Sequence, residues 1–125
     1  MKHKFVIEGR LPSLNDYCKA ERSGYHAANR MKHDCQAAII GCIRRSRMKP
    51  IKSPVNILYR FYEPNKRRDK DNISGVAHKF VQDALVNARI LKDDGWDYVV
   101  GFADEFYIDK KHPRIEVILY EEKPE

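Results

Sequence analysis

Residues 55–75 read VNILYRFYEPNKRRDKDNISG. At the start of this run Val55, Ile57, Tyr59 and Phe61 alternate with Asn56, Leu58, Arg60 and Tyr62, the period-two pattern of a strand with one buried face. Beyond its end, Ile73, Val76, Ala77, Phe80, Ala84, Leu85 and Ala88 recur at helical spacing and trace one face of a helix. A strand, a charged connection and a helix in succession predict helices packed on a sheet. The connection itself poses a chemical question. Lys66, Arg67 and Arg68 are suited to holding phosphate, yet they run directly into Asp69, Lys70 and Asp71, and carboxylates repel phosphate.

The rest of the chain extends this pattern on both sides. Residues 4–12 (KFVIEGRLP) predict a first strand stopped by Pro12, and residues 13–24 (SLNDYCKAERSG) an irregular or short helical approach broken at Ser23-Gly24. From about His26 to Arg47, the residues Met31, Cys35, Ala38, Ile39, Cys42 and Ile43 fall at helical spacing, with Arg and Lys on the opposite face. LKDDGW, at 91–96, predicts a turn. Residues 98–108 and 114–121 predict two further strands, with DKKHP between them as a hairpin connection. The order β-α-β-α-β-β implies a single α+β domain over residues 1–125, a small mixed sheet carrying two main helices, with residues 121–125 as a frayed tail.

The length, 125 residues, suits one hydrophobic core. Charged residues make up 34% and the net charge is +6, which favours a soluble protein with an anionic partner. The opening MKHKFVIEGR has no apolar run of signal-peptide length, and no stretch approaches membrane-spanning length. Three cysteines, Cys18, Cys35 and Cys42, lack zinc spacing and fit a reducing cytoplasm, Cys35 and Cys42 being expected on a helix's buried stripe.

Two acidic clusters bracket the second helix. Asp69 and Asp71 leave the same face if the backbone there is extended, and so can aim at one point. Asp93 and Asp94 follow the helix. A helix of about 17 residues is about 25 Å long, so the clusters meet only if the later segment runs back along the helix, or if the helix is broken. Gly75 gives room for a break. Carboxylates that did converge would repel by about 4 kcal/mol per pair at 4 Å and an effective dielectric of 20, so they would need a cation. Oxygen-only ligands suit Mg²⁺, or Mn²⁺ in its place, sharing its shell with phosphate. The basic residues would then hold backbone phosphates beside the metal. The alternative at this point is that the aspartates are helix caps, solvated charges and turn residues.

RRDKDN at 67–72, followed by KFVQDALVNARILKDDGW at 79–96, resembles the signature of the RusA family of crossover-junction endodeoxyribonucleases, Holliday-junction resolvases often found in prophages. LPSLND at 11–16 is similar to that family's Pro-Ser-x-Asn after its first strand. The resemblance implies a Mg²⁺-dependent α+β homodimer that resolves four-way DNA junctions by paired, symmetric cuts in recombination and repair. By position it implies catalytic and metal-binding roles for Asp69, Asp71 and Asp94, a secondary role for Asp93 and a catalytic role for Lys79. The interval between Asp71 and Lys79 is longer here than in the best-known branch, with SGVAH inside it. Lys66, Arg67, Arg68 and Lys70 are expected to position the DNA backbone. His78 is expected at the surface or in packing, and Trp96 in the core or at a dimer contact. Other functions compatible with the same residues are a non-catalytic DNA-binding protein and a metal-dependent nuclease of broader branched-substrate preference.

Overall fold

The strand alternation and the two helical repeats are realised in a computed structural model that describes residues 1–122. In chain order the elements are β1 (Lys2–Glu8), α1 (Leu14–Ser23), α2 (Tyr25–Arg45), β2 (Val55–Glu63), α3 (Lys70–Ser74), α4 (Ala77–Asn87), β3 (Val99–Ile108) and β4 (Arg114–Glu121). The order is β-α-β-α-β-β as expected, with each helical stretch broken once. Gly24 makes the first break. Its φ of 126° is open to glycine and strained for other residues, so the chain can turn sharply between α1 and α2. The second break falls at Gly75 and Val76, between α3 and α4.

The four strands lie in the order β1-β4-β2-β3, with β4 antiparallel to both β1 and β2, and β3 parallel to β2. Residues 109–113 are therefore not a hairpin connection, because β2 lies between β3 and β4. The burial pattern gives the reason. Ile115, Glu116, Val117, Ile118 and Leu119 are buried in succession, which only a central strand can achieve, whereas β3 keeps exposed residues along its length. β2 and β3 run parallel because α3 and α4 form the crossover between them.

Val55, Ile57, Tyr59 and Phe61 all point into the core, where Phe80, Val81, Ala84 and Leu85 of α4 and Ile39 and Ile43 of α2 meet them. Cys35 and Cys42 are half-buried against this core, and burial, with the neighbouring Asp34 charge, pushes the Cys35 thiol up. Trp96 does not join the core and stands 97% exposed at the entrance to β3. The expected fraying at 121–125 fails at its first two residues. Glu121 ends β4 and its N–H donates to Met1 O, while the Glu122 N–H donates to Pro54 O at 2.8 Å. Residues 123–125 lie outside the described residues. No helix among the described residues is long and apolar enough to cross a membrane.

Candidate active site

At the carboxyl ends of β2 and β3 the chain leaves a cleft of about 730 Å³, lined by Glu63, Asn65, Lys66, Arg68, Asp69, Lys70, Asp71 and Ile73, with Phe106, Tyr107 and Ile108 along the β3 side. Asp69 and Asp71 also line a smaller hollow of about 200 Å³ with Leu14, Asn15 and Asn72, so the two acids stand on the ridge between the openings.

Asp69 is the N-cap of α3, in extended conformation (φ −69°, ψ 153°). Its carbonyl accepts the Ile73 N–H, but its carboxylate makes no capping bond. An aspartate in that position ordinarily accepts from the first-turn N–H groups. Here the carboxylate is left for the cleft. Asp71 lies inside the first turn of α3 rather than in extended chain, so the alternation argument for the pair does not apply. They share the cleft because one precedes the helix and the other opens it. Asn72 anchors this corner by accepting the Asn15 N–H at 2.9 Å.

The cations expected beside these acids divide into two groups. Lys66 and Arg67 are exposed and make no ion pair among the described residues, and Lys70 lies over the Phe106 ring at 5.8 Å. Arg68 is instead structural. Its guanidinium donates to Leu11 O at 3.0 Å and pairs with Asp16 at 3.4 Å. Asp16 itself closes a capping box with Ser13 at the start of α1, and the Ser13 backbone and hydroxyl bonds, aided by the charges of Arg68 and Arg10, hold its carboxyl below the usual carboxylate range.

Lys79 and Asp94, also expected at the site, do not line either hollow. Lys79 pairs with Asp83 at 3.1 Å, and Lys32 approaches the same carboxylate at 3.8 Å. The hydrogen bond to Asp83, that residue's charge and a smaller effect of the Asp94 charge hold the Lys79 ammonium above the usual lysine range. The Asp94 charge is thus within electrostatic reach of Lys79. At the end of α4 the chain turns, the Ile90 and Leu91 N–H groups both donating to Leu85 O. Asp93 is exposed and accepts the Asp94 N–H. Yet Asp94 is not among the residues lining either hollow at Asp69 and Asp71. Among the described residues no group of three or more His, Cys, Asp and Glu side chains stands ready to hold a cation. The expected site residues thus stand in two places, Asp69 with Asp71 at the cleft and Lys79 with Asp94 away from it.

His78 packs as expected. Its Nε2 is 2.7 Å from Asp104 Oδ1, and its ring lies 4.7 Å from Tyr59 and 4.5 Å from Phe102, tying α4 to β3. Glu63 was missed in the sequence. It is 5% exposed, pairs with Arg10 at 3.4 Å and contributes a carboxylate to the large cleft. The signal was present, since Glu63 continues the inward parity of Val55, Ile57, Tyr59 and Phe61. Phe106 and Ile108 reach the cleft through the parallel pairing of β2 and β3, which adjacent sequence does not reveal. No protein-family model matches the chain, and no curated protein is significantly similar to it in sequence.

Proposed function

We propose that this protein is a metal-dependent endonuclease for branched DNA, acting on four-way junctions as a two-fold dimer. The observation that carries the reading is the free carboxylate of Asp69, beside Asp71, in a cleft walled by Lys66 and Lys70. Magnesium is held in such sites by one or two carboxylates together with substrate phosphate and water, so these two oxygen donors suit it, with manganese as a substitute. When bound it supplies Lewis-acid stabilisation and an acidified water for in-line displacement at phosphorus. Lys66, Arg67 and Lys70 hold backbone phosphates on either side of the scissile bond. Lys79, held by Asp83 at 3.1 Å, offers a positive charge to the transition state once the second copy completes the site. A cytoplasmic setting fits three cysteines that are free thiols.

On this reading the two groups, Asp69 with Asp71 and Lys79 with Asp94, are half-sites that a second copy brings together. The sheet has two edges. β1 carries Lys2, Lys4 and Glu8, charges of the kind that deter edge pairing. β3 presents Val100, Phe102, Tyr107 and Ile108, which are 53%, 55%, 43% and 51% exposed, and its own acids are turned to partners within the chain, Asp104 to His78 and Glu105 to Arg60. A long apolar edge strand left open in a soluble protein calls for a partner. Antiparallel pairing of two β3 strands about a two-fold axis lays the entrance of one strand beside the exit of the other. The turn containing Asp94 and Trp96 in one copy then approaches the wall formed by Phe106 and Ile108 in its mate, next to Asp69 and Asp71. Such a dimer has two sites related by two-fold symmetry, matching the approximate symmetry of a four-way junction.

The test is cleavage of a labelled four-way junction with Mg²⁺ or EDTA, comparing wild type with Asp71→Asn on a panel that includes three-way, flap and linear duplex DNA. Paired cuts in the junction that need Mg²⁺ and disappear in Asp71→Asn are expected, with junction binding retained. Binding without any cutting by the wild type would replace the enzyme with a DNA-binding protein. Equal cutting of every branched substrate would remove the junction preference.

A further inference from the structure

A second basic surface lies at the opposite end of the sheet from the acidic cleft. No acidic residue occurs between Asp34 and Glu63, and within that run stand Arg44, Arg45, Arg47, Lys49 and Lys52. Arg44 and Arg45 occupy the last turn of α2, where cations offset the helix dipole, and need no further account. Arg47, next after the α2 cap, shares part of that explanation, whereas Lys49 and Lys52 do not. Lys52 lines a groove of about 580 Å³ together with Arg89 and Lys92, which follow α4, and Ile51 N–H donates to Ile90 O at 2.8 Å to hold the two segments side by side. Arg47 and Lys49 line the next hollow along the same loop. These five cations, Arg47, Lys49, Lys52, Arg89 and Lys92, form no ion pair among the described residues.

The backbone supplies an independent observation. Arg47 and Arg89 are the two non-glycine residues with positive φ among the described residues, at 59° and 62°. Each comes just after the cap of its helix, α2 or α4, a position where glycine or asparagine is favoured and other side chains are strained. The helix dipole favours a cation at each place, and both arginines are exposed and without an ion pair among the described residues, so their charge is free for an external anion.

We propose that Arg47, Lys49, Lys52, Arg89 and Lys92 form a second nucleic-acid contact, which grips backbone phosphates away from the acidic cleft. Within one chain β2 separates the two surfaces by about 30 Å, the length of nine extended residues, close to one turn of duplex, whereas in the proposed dimer Lys92, two residues before Asp94, lies nearer the mate's cleft. A lipid surface would offer the same anionic chemistry, but the groove's apolar residues are its floor, with Ile51, Ile90 and Leu91 only 7%, 5% and 2% exposed. None of these three protrudes to enter a bilayer. The assignment rests on the nucleic-acid part of the proposed function and not on its cleavage chemistry.

The experiment measures affinity for a labelled four-way junction and a linear duplex between 50 and 200 mM salt, with EDTA present and Asp71→Asn as the parent. Arg47→Gly with Arg89→Gly relieves the backbone while removing two cations. Its melting temperature is expected to hold or rise while the log–log salt slope falls by about 0.9 for each phosphate no longer neutralised. Lys49→Gln with Lys52→Gln and Lys92→Gln should lower the slope further. Arg22→Gln with Arg30→Gln, a charge change equal to that of the arginine pair and placed beside the α1–α2 break, should leave the slope nearly unchanged. Slopes unmoved by the patch variants, or moved equally by the control pair, overturn the surface. So does loss of binding to phosphatidylserine vesicles with DNA binding intact, which assigns it to lipid. The nuclease reading fails separately, if the wild type never cuts although these binding shifts are seen.

Discussion

A carboxylate at a helix N-cap usually contributes to stability by accepting from first-turn amides, and replacing such a cap by alanine costs about 1 kcal/mol. Asp69 makes no such bond. Asp69→Ser therefore separates structure from chemistry. Serine is as good an N-cap as aspartate and can make the bond that Asp69 does not, so the melting temperature should be unchanged or slightly raised. Mg²⁺-dependent cutting of a junction should fall by at least about 10²-fold, since a ligand carboxylate is gone. Thermal unfolding beside a cleavage time course checks both halves. A marked loss of stability with cutting intact would make Asp69 a structural cap. At this scale the sequence was informative about type and less so about state. The Asp-x-Asp spacing identified the two acids that share the cleft, although Asp71 reaches it from a helix. Arg68 read as one of three equivalent cations, and only its bonds to Leu11 O and Asp16 reveal that it is committed to the fold. Trp96 read as a core or dimer-contact residue, and its exposure rules out the core while leaving the dimer contact to be tested.

Between elements, the break separating α3 from α4 decides where Asp71 sits. Gly75 has ordinary helical angles, so it is not there for conformational freedom. It is there for space. A Cβ on Gly75 would come 2.8 Å from Asp71 O and 3.0 Å from Leu14 Cβ. The first of these is a backbone atom and cannot swing away. Gly75→Ala should therefore push α3 off α1, destabilise the fold by about 1–3 kcal/mol and displace Asp71 from the cleft. Denaturant unfolding measures the first effect. Single-turnover cleavage at saturating Mg²⁺ measures the second, and unchanged values in both would show that the corner tolerates a methyl group. The element types were legible because helix and strand periods differ so plainly in residues 55–63 and 77–87. The pairing was not. Strands joined by a short loop usually form a hairpin, and residues 109–113 break that habit because β4, buried on both faces, is drawn to the middle of the sheet. Periodicity alone does not report that competition between neighbours.

Across the whole molecule the open question becomes a geometric one, whether the half-sites Asp69–Asp71 and Lys79–Asp94 meet within one chain or between two. The sequence put the acids at the two ends of a helix and left their meeting to the path that follows. That path leaves Asp94 within electrostatic reach of Lys79 but not at the cleft. Pairing along β3 would complete the site in trans, and mixing two inactive variants distinguishes the cases. Asp71→Asn and Asp94→Asn homodimers should each be inactive. In a heterodimer with trans sites, one site collects both substitutions and the other is wholly native, so up to half of the mixed dimers' sites recover. Sites completed within a chain would instead each retain one substitution, and mixing would restore nothing. Because subunits must exchange first, the mixture should be followed over time, after brief mild denaturation and renaturation. The recovered activity should nick a junction on one strand rather than cut it on two, since only one site per dimer is native. Phe102→Lys in both variants should abolish the recovery by blocking the β3 pairing; the residue is more than half exposed, and although its ring contact with His78 is lost, circular dichroism should show the monomer still folded. Recovery that survives Phe102→Lys would keep the composite site but move the dimer axis away from β3.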